Sequence, residues 1–263
     1  MKRIRTAAAV ALLILTCVAR AAPLPPSPSL SEVIAGPQRT PAFEARDRYR
    51  HPLEDLEFFG LKPDMSVVEI WPSGGWWTEI LGPYLRARGK YYAAAQPPLR
   101  DTAFHNKLAA APQYYDRVIV TEAGSPDHWR IAPPGTVDLV LTFRNVHNWL
   151  AGGYEKKMFA AMYRALKPGG VLGLVEHRAA PGTTRADWVK TGYVSQDFVI
   201  GLAREAGFRL VAKSEINANP KDTKNYPKGV WTLPPTLELG RKDRAKYLAI
   251  GESDRMTLKF VKP

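Results

Sequence analysis

From Ser66 onward the chain alternates short apolar runs with longer stretches of helical period, and this alternation constrains the fold more than any other feature. Strands are expected at Ser66 to Ile70, Tyr91 to Ala95, Val118 to Val120, Val137 to Phe143, Val171 to Glu176 and Phe208 to Ser214. Between them, Tyr154, Met158, Phe159, Met162 and Leu166 mark one helix stripe, and Phe198, Val199, Leu202 and Ala206 mark a second that Gly207 stops. Strands connected through helices pair in parallel when the helices cover both sheet faces, so an α/β fold is expected. The final run sets Met256, Leu258 and Phe260 against Thr257, Lys259 and Val261, the pattern of a half-exposed edge or antiparallel strand.

The N-terminus follows a different logic. Lys2, Arg3 and Arg5, the apolar run Ala7 to Val18 and the triplet Ala19-Arg20-Ala21 read as a secretory signal over 1–21, with cleavage before Ala22. The run of about 12 apolar residues is shorter than the roughly 20 needed to span hydrocarbon. No transmembrane segment is therefore expected, and the mature protein is expected to be periplasmic or secreted. A lipid anchor on Cys17 is the competing reading, but Thr16 precedes it where a bacterial lipoprotein signal would have Gly, Ala or Ser. Cys17 is the single cysteine, which excludes disulfide frameworks, Cys-rich zinc sites and iron–sulfur clusters. Cleavage removes Lys2, Arg3, Arg5 and Arg20 and no acidic residue, taking the formal charge from +12 to +8. The remaining basic residues are scattered, and the densest patch, Arg241 to Lys246, is broken by Asp243, so a solvated surface is expected and no nucleic-acid partner. Residues 22–39, with Pro23, Pro25, Pro26 and Pro28, read as an extended linker, and 40–263 as a single domain opening with two short helices between Thr40 and Gly60.

In an open parallel sheet, ligands bind beyond the carboxyl ends of the strands. The first strand ends in Glu69-Ile70-Trp71-Pro72-Ser73-Gly74-Gly75, an acidic residue and a small-residue turn into a helix. With Val137-Asp138-Leu139-Val140 leading to Thr142-Phe143-Arg144-Asn145, Leu166-Lys167-Pro168-Gly169-Gly170 before an apolar strand, and Ala206-Gly207-Phe208, this resembles the class I S-adenosylmethionine-dependent methyltransferases from about Leu61 to the C-terminus. The segments FFGLKPDM, GGWWTEIL, FRNVHNW, EHR and GESDRMTLKF look like a subgroup of exported bacterial proteins described as predicted methyltransferases. The resemblance implies a Rossmann-like, mainly parallel seven-stranded sheet with helices on both faces and an antiparallel last strand. It implies S-adenosylmethionine as cofactor and methyl transfer to a small-molecule acceptor.

Carried over residue by residue, the resemblance makes Glu69, Trp71, Ser73, Gly74 and Gly75 cofactor-binding candidates, with Gln96, Glu122 and Asn145 at later strand ends. Three of these depart from the family pattern. Trp71 and Ser73 stand where the family has glycine, and Gln96 stands where an acidic residue commonly holds the ribose hydroxyls. Each candidate also has a structural reading: Glu69 as a helix cap, the glycines as a turn, and Trp71, Trp76 and Trp77 as packing.

The strand end Arg144, Asn145, His147, Asn148 is the most polar in the chain, and a buried strand seldom ends in so many hydrogen-bonding groups without partners. His147 is the candidate general base, or a histidine satisfied by its neighbours. Glu176-His177-Arg178 ends the adjacent strand, either as a charge network on the rim or as part of catalysis. Without HExxH-type spacing or paired strand-end aspartates, no metal is expected. Arg46, Asp47, Arg50 and His51 form either a lid over the cofactor or a solvated helix face, and the long connection from Ser214 to Met256 is expected to shape the acceptor pocket. The alternative function is an exported, non-enzymatic ligand-binding protein on the same fold. A hydrolase lacks its GxSxG elbow.

Overall fold

The computed structural model describes residues 27–98 and 102–263; the leader 1–21, the cleavage point before Ala22 and the first prolines of the linker lie outside the described residues. One sheet holds β1 (Ser66–Ile70), β2 (Lys90–Ala95), β3 (Val118–Glu122), β4 (Val137–Phe143), β5 (Leu166–His177), β6 (Arg209–Ser214) and β7 (Arg255–Val261), in the order β3-β2-β1-β4-β5-β7-β6. The first five strands pair in parallel, and β7 is antiparallel to both β5 and β6. The mainly parallel sheet and its antiparallel last strand are as expected.

Before β1 lie α1 (Leu30–Ile34), α2 (Pro41–Glu44), α3 (Asp47–Arg50) and α4 (Pro52–Phe59). Between strands come α5 (Thr78–Leu85), α6 (Thr102–Ala110), α7 (Pro112–Tyr115), α8 (Val146–Gly152), α9 (Glu155–Ala165), α10 (Arg185–Thr191), α11 (Gln196–Glu205) and α12 (Arg244–Ile250). Strand periodicity sends neighbouring β1 side chains to opposite faces. Val67 joins Leu141, Phe59, Ile80 and Leu81 on one side, while Val68 and Ile70 join Trp149, Met158 and Met162 on the other. Fully burying a side chain of this size contributes about 1.5–3 kcal/mol, so the two layers fix the sheet between its helices.

Three expectations are corrected. The last strand is antiparallel but is neither half-exposed nor an edge: it runs between β5 and β6 with Met256, Thr257, Leu258 and Phe260 buried. Its polar alternation is absorbed internally, because Thr257 Oγ1 accepts from Asn217 Nδ2 (2.9 Å) and Lys259 Nζ donates to the Phe58 carbonyl (2.8 Å). The linker reading fails beyond Ser29. Ser29 and Glu32 form a capping box that starts α1, and its Leu30 and Val33 bury in the core layer that holds Ile80 and Leu81 of α5. The segment from Thr40 to Gly60 makes three helices rather than two, since the left-handed His51 and Pro52 divide α3 from α4.

Candidate functional site

The strand order reverses at β1, with β2 on one side and β4 on the other, so the loops leaving β1 and β4 diverge and open a crevice. Three residues there hold left-handed backbone without being glycine: Trp71 (φ 54°), Ser73 (φ 51°) and Arg144 (φ 61°). Such a conformation costs an L-residue about 1–2 kcal/mol and persists only where surrounding contacts impose it. They do so here. The Trp71 N–H donates to Ala94 O (2.8 Å) and its indole Nε1 to Ala123 O (2.7 Å), and the Arg144 N–H donates to Val175 O (2.7 Å). Bonds from neighbouring strands thus hold the backbone of Trp71 and Arg144 in this conformation.

Three cavities meet on Trp71 and Ser73. One of about 270 Å³ is walled by Gln96, Pro97, Pro98, Phe104 and His105 at the end of β2. A second, of about 190 Å³, lies among Arg46, Arg50, Glu69, Gly74 and Trp76. The third, of about 380 Å³, is lined by Arg144, Asn145, His147, His177, Trp231 and Glu252. The long connection contributes to the third cavity through Trp231, Pro234 and Pro235, as its length suggested.

The sequence candidates divide. Glu69 is buried, and its Oε2 accepts from Thr78 Oγ1 (3.1 Å) and from the Tyr91 hydroxyl. Burial pushes its carboxyl up to about 7 against the pull of those bonds and of Arg50. It lines the second cavity as a largely satisfied group. Gly74 lines that cavity too, but Gly75 (φ 82°) faces α6, where a Cβ would meet the side chains of Lys107 and Phe104. Gln96 lines the first and third cavities. Glu122 pairs with His128 Nδ1 (2.6 Å) and lines none of the three. Asn145 Nδ2 donates to Ile70 O (2.9 Å) and Thr142 Oγ1 (3.2 Å), tying the end of β4 to the end of β1.

His147 lies in the first turn of α8, buried but bordering the third cavity. Its Nδ1 lies 3.1 Å from Glu176 Oε1, and its backbone N–H donates to Glu176 Oε2 (3.2 Å). An ionised carboxylate only accepts, so the proton is assigned to Nδ1 and Nε2 keeps the lone pair a base needs. His177 Nδ1 is held by Ser253 Oγ (2.5 Å); burial, then the charges of His147, Arg144, Arg255 and Arg50, push its pKa well below the usual histidine value. Arg178 faces away, paired with Asp254 (2.8 Å) and Glu215 (2.7 Å) as a rim network.

His147, Glu176 and His177, the one metal set that could be proposed from these strand ends and was not expected for want of HExxH-type spacing, bring one potential ligand atom each within 4.8 Å of one another. Their surroundings oppose a cation. Arg46, Arg50, Arg144 and Arg255 converge here on Glu252, from Arg46 Nε at 2.6 Å, Arg255 Nη1 at 3.2 Å and Arg50 Nε at 3.8 Å. Burial tends to raise the Glu252 carboxyl, yet the four guanidiniums hold it down at about 2. The reading of Arg46 and Arg50 as a solvated face is thereby overturned, since Arg50 is 4% exposed with its guanidinium 4.6 Å over the Trp76 ring. No local pattern announced this cluster: its members come from α3 and the segment before it, the end of β4 and the start of β7.

No protein-family model and no curated protein sequence matches the chain. Among solved structures it is similar to a SAM dependent methyltransferase from Aquifex aeolicus, with TM-score 0.57 and 16% identity over 89% of this chain and 99% of that one. It is similar to phosphoethanolamine N-methyltransferase 2 of Haemonchus contortus, solved with phosphomonomethylethanolamine and S-adenosylhomocysteine, with TM-score 0.55 and 15% identity over 89% of this chain and 61% of that one. The [4+2]-cyclase SpnF matches with TM-score 0.53 and 15% identity over 89% of this chain and 92% of that one. The fold is that of the class I S-adenosylmethionine-dependent methyltransferases, and SpnF, named for a different reaction, shows that fold alone does not dictate chemistry.

Proposed function

We propose that the protein binds S-adenosylmethionine in the crevice between the ends of β1 and β4 and transfers its methyl group to a small-molecule acceptor. The observation that carries this reading is that three cavities share Trp71 and Ser73 in their walls, with His147, bonded to Glu176, at the wall of the third. The residues present suit the donor. Gln96 offers an amide to ribose hydroxyls, and Arg46 Nη2 and Arg50 Nε are buried without a hydrogen-bond partner beside the cavity at Gly74, where they match a carboxylate.

Bound there, the donor supplies an electrophilic methyl on a sulfonium. The chain's own contribution is alignment first, because holding two reactants in line removes most of the entropic cost of their encounter. His147 then takes the acceptor proton at Nε2 while Glu176 keeps the ring in one tautomer. Trp231, Pro234 and Pro235 wall the acceptor side and limit water. A histidine held in one tautomer at a cavity wall is an arrangement that proton transfer uses, which is why the enzyme reading is preferred over the binding-protein alternative. The same reading has the chain exported after cleavage before Ala22. No helix among the described residues is long and apolar enough to cross a membrane.

Calorimetric titration of mature protein with S-adenosylmethionine and S-adenosylhomocysteine tests the proposal. Saturable binding near one equivalent is expected. Neither heat nor thermal shift at millimolar donor would overturn it in favour of another ligand.

A further inference from the structure

Four guanidiniums, from Arg46, Arg50, Arg144 and Arg255, surround one carboxylate, Glu252. Other carboxylates reach the cluster already engaged elsewhere: Glu176 acts on Arg144 but is bonded to His147, Asp254 acts on Arg255 but is paired with Arg178, and Asp55 accepts from Asn217 Nδ2 (2.8 and 2.9 Å) with its carboxyl raised by burial to about 7. Buried cationic N–H groups without an acceptor are costly, and three of the four arginines carry one: Arg46 Nη2, Arg50 Nε and Arg255 Nε. Arg144 is the fourth. Among the described residues its side chain makes no ion pair and no hydrogen bond, although its backbone is held in the left-handed conformation that sets it there. It borders both the cavity at Gly74 and the cavity at His147.

The methyl donor does not remove this excess, because its one carboxylate is outweighed by an ammonium and a sulfonium. A cation on His147, Glu176 and His177 would add to it. An anion in the third cavity would lower it, and a planar guanidinium fork matches a carboxylate or phosphate with two parallel hydrogen bonds. We infer that the acceptor is an anionic small molecule whose carboxylate or phosphate pairs with Arg144 while its methyl-accepting group lies beside His147. This rests on the methyl-transfer reading above and narrows it to one class of acceptor. Arg144 and His147 leave the same strand end and share one cavity, so a compact acceptor can engage both.

The test measures binding of two probes, acetate and inorganic phosphate, to the mature protein by calorimetry at constant ionic strength, with and without saturating S-adenosylhomocysteine. Wild type is expected to bind at least one probe in both conditions, and which probe binds separates carboxylate from phosphate acceptors. Arg144→Gln is expected to weaken that binding about tenfold or more, with Arg144→Lys in between because it keeps the charge but loses the fork. Ligand-free Arg144→Gln is also expected to melt above wild type, since it relieves the repulsion; an arginine with a merely structural role would lower the melting temperature. The inference is overturned if S-adenosylhomocysteine expels both probes, for the arginines then serve the donor carboxylate alone. It is overturned equally if Arg144→Gln binds the probes as wild type does. Arg144-dependent probe binding in a protein that takes no S-adenosylhomocysteine would sink the methyl-transfer reading, and the acceptor role with it, while leaving an oxyanion site.

Discussion

Glu176 grips His147 at two points, the ring Nδ1 at 3.1 Å and the backbone N–H at 3.2 Å, so one carboxylate both orients the imidazole and caps the first turn of α8. The second bond satisfies an N–H that a helix start leaves without a partner, and it places negative charge at the favourable end of the helix dipole. Ring orientation and helix position are thus set by a single buried group.

Once an acceptor is known, His147→Ala should leave donor affinity nearly unchanged and lower turnover by about 10²–10⁴, the range for a positioned proton acceptor. Glu176→Gln should lower turnover less, because the amide oxygen can still accept from His147 Nδ1 and hold the ring in the same tautomer. Unchanged turnover in a folded His147→Ala variant removes the residue from the mechanism.

Burial raises the Glu69 carboxyl from 4.5 to about 7, so between those pH values the folded chain keeps a proton that the unfolded chain has lost. The group's contribution is fully present below its unfolded value and is lost as pH rises through about 7. Urea titrations of wild type and Glu69→Gln should therefore diverge with rising pH, by at most about 3 kcal/mol in favour of the variant. Parallel profiles would mean that Glu69 is ionised in the fold.

Gly75→Ala should lower stability by about 1–2 kcal/mol through its positive φ alone. Because the new Cβ would meet Lys107 and Phe104 rather than a cavity, the affinity of the folded fraction for S-adenosylhomocysteine should hold. Loss of that affinity would put Gly75 back in contact with the donor.

Glu252→Gln removes the one carboxylate that four arginines share, and should cost about 3–5 kcal/mol, as for breaking a buried pair from one side. Adding Arg144→Gln should recover part of the loss, which a double-mutant cycle in guanidinium chloride measures. Additive effects would show that the two groups do not interact.

Mass spectrometry of the protein purified from its native source should find Ala22 at the N-terminus. A chain beginning at Met1 in the cytoplasm would overturn export.

The sheet was legible because each strand carries its apolar run, and alternation along β7 correctly suggested antiparallel pairing. That β7 lies inside the sheet was not, since Thr257 and Lys259 look like solvent-facing positions until Asn217 and the Phe58 carbonyl are brought beside them. The same limit applies at the site. His147 and Glu176 were visible as polar strand ends, but their direct bond depends on the β4–β5 register. The arginine cluster gathers around Glu252 from parts of the chain as far apart as Arg46 and Arg255, so its charge excess exists only in the folded molecule.

Trp71, Ser73 and Arg144 carry a further consequence. All three hold a backbone conformation that glycine adopts most easily, although none of them is glycine. Tryptophan, serine and arginine are unbranched at Cβ, whereas valine, isoleucine or threonine would not be accommodated at these angles. The turn at this site is therefore a set of dihedral angles imposed by neighbouring carbonyls, and it does not depend on the freedom of glycine.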